Sequence, residues 1–306
     1  MKDKCNREIK NIRFSITSKC NYNCLYCDKE GYVQQGRELT VDEITKICYI
    51  LAKILKVKRI KLTGGEPLCR KEVIQIVQNI YDLGLYDDIS ITTNGYLLLE
   101  KAQDLINAGL NRVNVSLCSL KPEKYSFITG SNSLPRILEG LKKAQDVGLH
   151  PIKLNFVMLK GINDDELEDM INFCANTGYI LQLIELHDFS DAIGKTKEIY
   201  DKYYLNLEKI IDDISKRAID IKVRKDMQNR KVFRLPNNAI VETVHPSHDF
   251  CMGCTKLRVS SDGKVFGCLY AANLGKDFIS DLEESISLNK YEMLLKEIID
   301  SREPHY

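Results

Sequence analysis

Between residues 11 and 187, short runs rich in β-branched residues alternate six times with amphipathic stretches, and this alternation limits the fold more than any other feature. Strands are predicted at NIRFSIT (11–17), RIKLTGG (59–65), DISITTNG (88–95), RVNVSLCS (112–119), PIKLNFVML (151–159) and ILQLIEL (180–186). The first intervening helix should begin at Val41, because Thr40 and Glu43 form a capping box and Ile44, Ile47, Cys48, Leu51 and Leu55 make an apolar stripe. Gly84, Gly109, Gly148 and Gly178 each follow a helical pattern, as helix C-caps do. Strands joined by helical crossovers lie parallel, and six units are too few to close an eight-unit barrel. The expected fold is therefore α/β, a partial (β/α)6 barrel. Chemistry in such folds lies at the C-terminal strand ends, where TGGEP, TTNG, SLCSL and IELHD fall.

After residue 188 the pattern changes. A linking helix is expected near 204–217, then strands at AIDIKVRKD, KVFRLP and AIVETVH, and a hairpin over LRVSSDGKVFGCLY that turns on Asp262-Gly263. Two domains are expected, the barrel over 1–215 and a smaller α+β unit over 216–306. A net charge of +1 gives no global attraction to nucleic acid or to a membrane, so any affinity for an anion must be local. No apolar run reaches the ~18 residues of a membrane span, and the start MKDKCNREIK is too charged for a signal peptide. A cytoplasmic protein is expected.

Eleven cysteines without an export signal argue for reduced thiols, some of them metal ligands. Six form two clusters: Cys20, Cys24 and Cys27 spaced C-x3-C-x2-C, and Cys251, Cys254 and Cys268 spaced C-x2-C-x13-C. Structural zinc wants four ligands, and no histidine precedes His150, so zinc fits the first cluster poorly. A four-iron cluster on three thiolates leaves one iron open to a small molecule. For the second cluster zinc stays open, with His245 or His248 as a fourth ligand. Cys48 and Cys174 read as core residues, Cys5 lies in a terminus expected to be mobile, and NDDELED (163–169) reads as a charged first helical turn.

Strand parity gives an independent signal. Arg13, Ser15 and Thr17 share one face; so do Arg59, Lys61 and Thr63, then Asn114 and Ser116, then Lys153 and Asn155. A strand flanked by helices normally carries apolar residues on both faces, so polar residues recurring on one parity imply a wet interior. The charges are basic, and Lys256 and Arg258 add to them. That suits a ligand with several phosphates.

The loop CNYNCLYC after a first strand resembles the signature of the radical S-adenosylmethionine superfamily, and GGEP (64–67) resembles its methionine-binding strand end. RFSITSKCNYNCLYC, RIKLTGGEPLCR, ITTNGYLL, AGLNRVNVSL, PIKLNFVMLKGINDDEL and CTKLRVSSDGKVFGCL together resemble the GTP 3′,8-cyclase family of molybdenum-cofactor biosynthesis, over nearly the whole chain. The resemblance implies two 4Fe-4S clusters, one on Cys20, Cys24 and Cys27 and one on Cys251, Cys254 and Cys268. It implies S-adenosylmethionine contacts at Tyr26, Gly64, Gly65, Glu66, Ser116 and His187. The cleaved cofactor would yield a 5′-deoxyadenosyl radical. GTP contacts are implied at Arg13, Arg59, Lys61, Thr92, Lys153, Lys256, Leu257 and Arg258, with Arg258 also counted among the catalytic residues. A ferredoxin or flavodoxin as electron donor and a homodimer are implied too.

The chain departs from this family pattern at several points. Gln182 stands where an arginine is expected, His187 where a methionine is usual, Cys118 in place of an aspartate and Lys256 where arginine is common, and SREPHY lacks the diglycine tail. Two alternatives remain at this point: a two-cluster radical enzyme acting on a peptide or another small molecule, and a nonenzymatic iron-sulfur or zinc carrier.

Overall fold

The computed structural model describes residues 1–31, 36–188, 196–279, 282 and 288–306. Six parallel strands, β1 (Asn11–Ser15), β2 (Arg59–Thr63), β3 (Asp88–Thr93), β4 (Arg112–Ser116), β5 (Ile152–Met158) and β6 (Ile180–Glu185), lie side by side in chain order. Between them run α1 (Val41–Leu55), α2 (Val73–Asp82), α3 (Leu98–Asn107), the pair α4 (Pro122–Thr129) and α5 (Leu134–Asp146), and α6 (Leu167–Thr177). The Thr40 capping box is present, with the Thr40 hydroxyl accepting from the Glu43 N–H at 3.2 Å and Glu43 accepting from the Thr40 N–H at 2.7 Å.

Parity separates the two faces of the sheet. Ile12 and Phe14, Ile60 and Leu62, Val113 and Val115, Leu154 and Phe156, Leu181 and Leu183 are all buried in the core against the helices. Each such side chain contributes roughly 1.5–3 kcal/mol by leaving water. The intervening positions carry Arg13, Lys61, Asn114, Asn155 and Gln182, as the polar parity predicts.

The chain then continues through α7 (Thr196–Tyr203) and α8 (Glu208–Arg217) to β7 (Asp220–Arg224), β8 (Arg230–Arg234) and β9 (Ile240–Val244), α9 (His248–Met252), β10 (Lys256–Val259), β11 (Lys264–Phe266), β12 (Lys276–Asp277) and α10 (Leu288–Asp300). These strands extend both edges of the first sheet. β9 pairs parallel with β6, setting Glu242 beside Gln182, and β10 pairs parallel with β1, setting Arg258 beside Arg13. The twelve-stranded order is β12-β11-β10-β1-β2-β3-β4-β5-β6-β9-β8-β7, an open sheet. The expected hairpin is β10–β11, and Gly263 in its turn has φ +87. Among the described residues no helix is long and apolar enough to cross a membrane.

Three expectations need correction. The first ten residues are anchored rather than mobile: Asp3 and Arg7 are buried, with the Asp3 carboxylate accepting from the Cys5 and Arg7 N–H groups and from Arg7 Nε at 2.7 Å. Leu257 is fully buried in the core, because strand alternation points it away from the face that Lys256 and Arg258 share. The acidic run is not wholly a solvated turn, since Glu166 is buried and accepts from Ser119 Oγ at 2.8 Å and the Leu120 N–H at 2.9 Å.

Candidate active site

The first cysteine cluster occupies the loop that leaves β1. Backbone contacts hold it from two sides: the Asn23 and Leu25 N–H groups donate to the carbonyls of Thr129 and Ile128 at the end of α4, at 3.3 and 2.8 Å. On the other side, Gly65 and Glu66 donate to the carbonyls of Thr17 and Lys19 at 2.8 and 2.7 Å. This approach requires glycine. A Cβ at Gly64, where φ is +146, would lie 2.2 Å from the Thr17 oxygen, and one at Gly65 would lie 2.3 Å from the Lys19 oxygen. Glu66 ties the neighbouring strand ends together: it accepts from the Leu68 N–H, Thr93 Oγ1 and the Asn94 N–H at 2.6–2.9 Å. Burial raises its carboxyl to about 7 even against these donors.

Cys20 and Cys27 are exposed and Cys24 is half-buried. Burial pushes Cys24 up to about 12 and Cys27 up to about 11, with the neighbouring thiols and Asp28 adding to the shift. Metal binding would displace these protons, because thiolates are the ligating form.

The second cluster is held by the two ends of the chain. Arg7 Nη1 donates to the Cys251 carbonyl at 3.0 Å, and Arg302 donates to the carbonyls of Cys254 and Gly267 at 2.7 and 3.2 Å. Asp3 joins the pair, 3.1 Å from Arg302. Burial would raise the Cys254 thiol, but Arg302, Lys256 and Arg258 outweigh it and lower the pKa. The two histidines weighed as zinc ligands have other partners: His245 bonds Glu185 at 2.6 Å and His248 bonds the Tyr306 carbonyl at 2.8 Å. Among the described residues no three Cys, His, Asp or Glu side chains converge on a single ion.

Both thiol trios line one cavity of about 300 Å³, together with Arg13, Lys256 and Arg258. A smaller cavity of about 60 Å³ adjoins it, since Arg13, Thr92, Asn155, Gln182, Arg230 and Lys256 line both. Glu30, on the chain just after the first cluster, links the two regions: it accepts from Arg13 Nε at 2.7 Å, Thr63 Oγ1 at 2.7 Å and Arg258 Nη1 at 3.0 Å. Burial alone would raise its carboxyl, but the two guanidiniums dominate and hold it at about 2. Further along, Lys61 donates to Asn114 at 2.7 Å, Asn114 to Asn155 at 3.3 Å and Gln182 to Asn155 at 2.9 Å. Arg230 donates to Gln182 at 3.1 Å and to Glu242 at 3.0 Å, and Glu242 also pairs with Lys153. Burial and the surrounding cations push Lys61 and Lys256 well below the usual lysine range.

Two family descriptions cover almost all of the chain: Radical SAM superfamily over residues 14–174 and Molybdenum Cofactor Synthesis C over residues 179–306. A "Probable GTP 3',8-cyclase" of Thermococcus kodakarensis is 41% identical, covering 99% of both chains, and its namesake of Methanocaldococcus jannaschii is 41% identical over 100% of this chain and 99% of its own. The chain belongs to the radical SAM superfamily, within the GTP 3′,8-cyclase family. The solved structure of Streptococcus suis SuiB bound to S-adenosylmethionine has the same fold at a TM-score of 0.68 and 16% identity, covering 94% of this chain. This chain spans 66% of the SuiB length. Native anSMEcpe with bound AdoMet gives a TM-score of 0.62 at 15% identity, covering 94% and 84%.

A radical SAM enzyme needs soft thiolate donors beside a pocket, and the donor set here fits: three thiols on a loop seated on a glycine pair at the rim of a cavity. Tyr26, Gly64, Gly65, Glu66, Ser116 and His187 line that cavity, while Arg59, Lys61 and Lys153 line the smaller one. Leu257 lines neither. The sequence reading missed Glu30, Arg230, Glu242 and Arg302. Glu242 left a usable trace, as a charge inside the predicted strand AIVETVH, and Arg230 stands just before KVFRLP; Glu30 and Arg302 sit at positions where local sequence predicts ordinary surface charge.

Proposed function

We propose that this protein is a GTP 3′,8-cyclase, converting GTP to 3′,8-cyclo-7,8-dihydro-GTP in the first step of molybdenum-cofactor biosynthesis. One observation carries the reading: a single cavity is walled by both thiol trios with arginines and a lysine between them. Cys20, Cys24 and Cys27 would hold one four-iron cluster and Cys251, Cys254 and Cys268 the other, each leaving an iron without a protein ligand. When bound, the first cluster and S-adenosylmethionine supply the 5′-deoxyadenosyl radical that takes a hydrogen atom from the substrate.

The chain's own residues do the positioning. Tyr26, Gly64, Gly65, Glu66, Ser116 and His187 form the end of the cavity suited to S-adenosylmethionine. Arg13, Lys256 and Arg258, with Arg59, Lys61, Thr92 and Lys153 behind them, give a basic region for the triphosphate, where charge-assisted hydrogen bonds are strongest. Leu257 would contribute no more than its backbone. Residues 1–215 would carry the cofactor and 216–306 the second cluster and Arg258. The finer reading includes a ferredoxin or flavodoxin as reductant and a cytoplasmic setting, which suits eleven free thiols.

The test is anaerobic reconstitution with iron and sulfide, then dithionite and S-adenosylmethionine with or without GTP. 5′-Deoxyadenosine together with a GTP-derived pterin precursor is the expected result. 5′-Deoxyadenosine without GTP conversion would overturn the substrate assignment.

A further inference from the structure

The smaller cavity is lined by eight lysines and arginines and, among the described residues, by no carboxylate. Four carboxylates outside this lining, Glu30, Asp88, Asp226 and Glu242, pair with six of these cations. The remaining two are Lys61, which donates to a neutral amide, and Lys256, which has no ion-pair partner among the described residues. Positive charge in this excess around one partly buried cavity calls for an anion.

Within the wall Arg230 is distinctive. It comes from β8, outside the six-stranded unit, yet lines both cavities and is only 7% exposed. Nη1 donates to Gln182 Oε1 and Glu242 Oε1, and Nη2 donates to Gln228 Oε1 at 2.8 Å. Nε is buried with no acceptor among the described residues. Neutralising Glu242 does not require Arg230, since Lys153 and Arg224 already pair with that carboxylate. Three cations on one carboxylate, one of them with an unfilled donor, describe a group set for a second anion.

We propose that Arg230 is a ligand of the substrate's polyphosphate end, with Glu242 as its counter-ion in the absence of substrate. The inference rests on the GTP reading above and adds to it a residue that determines how strongly phosphate is recognised. It also accounts for Gln182: the amide oxygen of Gln182 lies 3.1 Å from the Arg230 fork, so a guanidinium from β8 occupies the place to which the β6 side chain extends.

The test is calorimetric binding to the reconstituted full chain, with GTP, guanosine and inorganic tripolyphosphate as separate probes. Arg230→Gln should weaken GTP and tripolyphosphate by ~10–100-fold while guanosine changes by less than ~3-fold. Arg230→Lys should retain part of the affinity, and the double variant Gln182→Arg/Arg230→Gln should recover GTP binding to within ~10-fold of the parent, because it restores a guanidinium to the same place from β6. Equal weakening of guanosine and GTP, or no weakening, would overturn the proposal, as would a double variant that recovers nothing. If the parent binds tripolyphosphate through Arg230 but not GTP, the nucleotide reading falls and the anion ligand stands; if it binds neither, both fall.

Discussion

At the mouth of the cavity three thiols sit on one short loop, held in place almost wholly by backbone hydrogen bonds to α4 and to the Gly64–Glu66 turn. At its floor, eight lysines and arginines arrive from seven strands, six of them held by side-chain pairing to Glu30, Asp88, Asp226 and Glu242. The mouth leaves Cys20 and Cys27 exposed, whereas the floor buries Lys153, Arg230 and Glu242. The difference teaches where each part is vulnerable. A backbone-held loop tolerates exchange of a side chain except at the ligating atoms, but a web of buried charges transmits the loss of any member.

The largest effect is expected at the mouth. Cys24→Ser should abolish formation of 5′-deoxyadenosine and reduce bound iron and sulfide to about half, since one of two clusters loses a ligand. Full metal content with normal cofactor cleavage would place the reactive cluster elsewhere. On the wall of the larger cavity, Arg258→Ala should lower GTP turnover by ~10²-fold or more through loss of a charged contact. Normal turnover, measured as pterin precursor, would remove Arg258 from the phosphate site.

The link between the two regions gives a third prediction. Glu30→Gln leaves Arg13 and Arg258 without their shared counter-ion, and breaking a buried pair in this way costs about 3 kcal/mol, readable by urea unfolding of the metal-free chain. Its pH dependence has a definite sign. The folded carboxyl lies below its ordinary value of 4.5, so its stabilisation is present above that pH and is lost as pH falls toward about 2. The variant should lack that part of the acid slope; an unchanged slope would mean that the pair is not formed. The smallest signal comes from His187, which bonds Tyr270 at 2.6 Å. Burial, with Lys256 and Arg258 close by, lowers its imidazole to about 3. Its ring resonances in the metal-free protein should therefore show no step between about pH 5 and 8. A step near 6.5 would mean that the ring is not buried beside Lys256 and Arg258 as the fold places it.

The parts of this protein that were legible in the sequence are those governed by local rules. The Thr40 box, the six strands and their polar parity, the turn at Asp262-Gly263 and the thiol spacing all depend on residues within a few positions of one another. Lys61 and Asn114 could be assigned to an interior face because alternation is a property of a single strand. Glu30 could not be assigned in this way, for its role exists only because Arg13 and Arg258 lie on paired strands 245 positions apart in the chain. Arg302 is another such case, a residue near the C-terminus whose guanidinium reaches carbonyls of the second thiol cluster.

By itself the sequence determined the wound parallel sheet, the two thiol trios and the basic sign of the interior, because periodicity, ligand spacing and charge are written along the chain. Tertiary structure alone decided that β9 and β10 would close onto opposite edges of that sheet. That arrangement brings both trios to one cavity, places a guanidinium from β8 beside Gln182 and sets the carboxylates that hold the floor. The physical reason is that strand pairing between distant segments is selected by burial of whole faces, a sum over many contacts that no short stretch of the chain encodes.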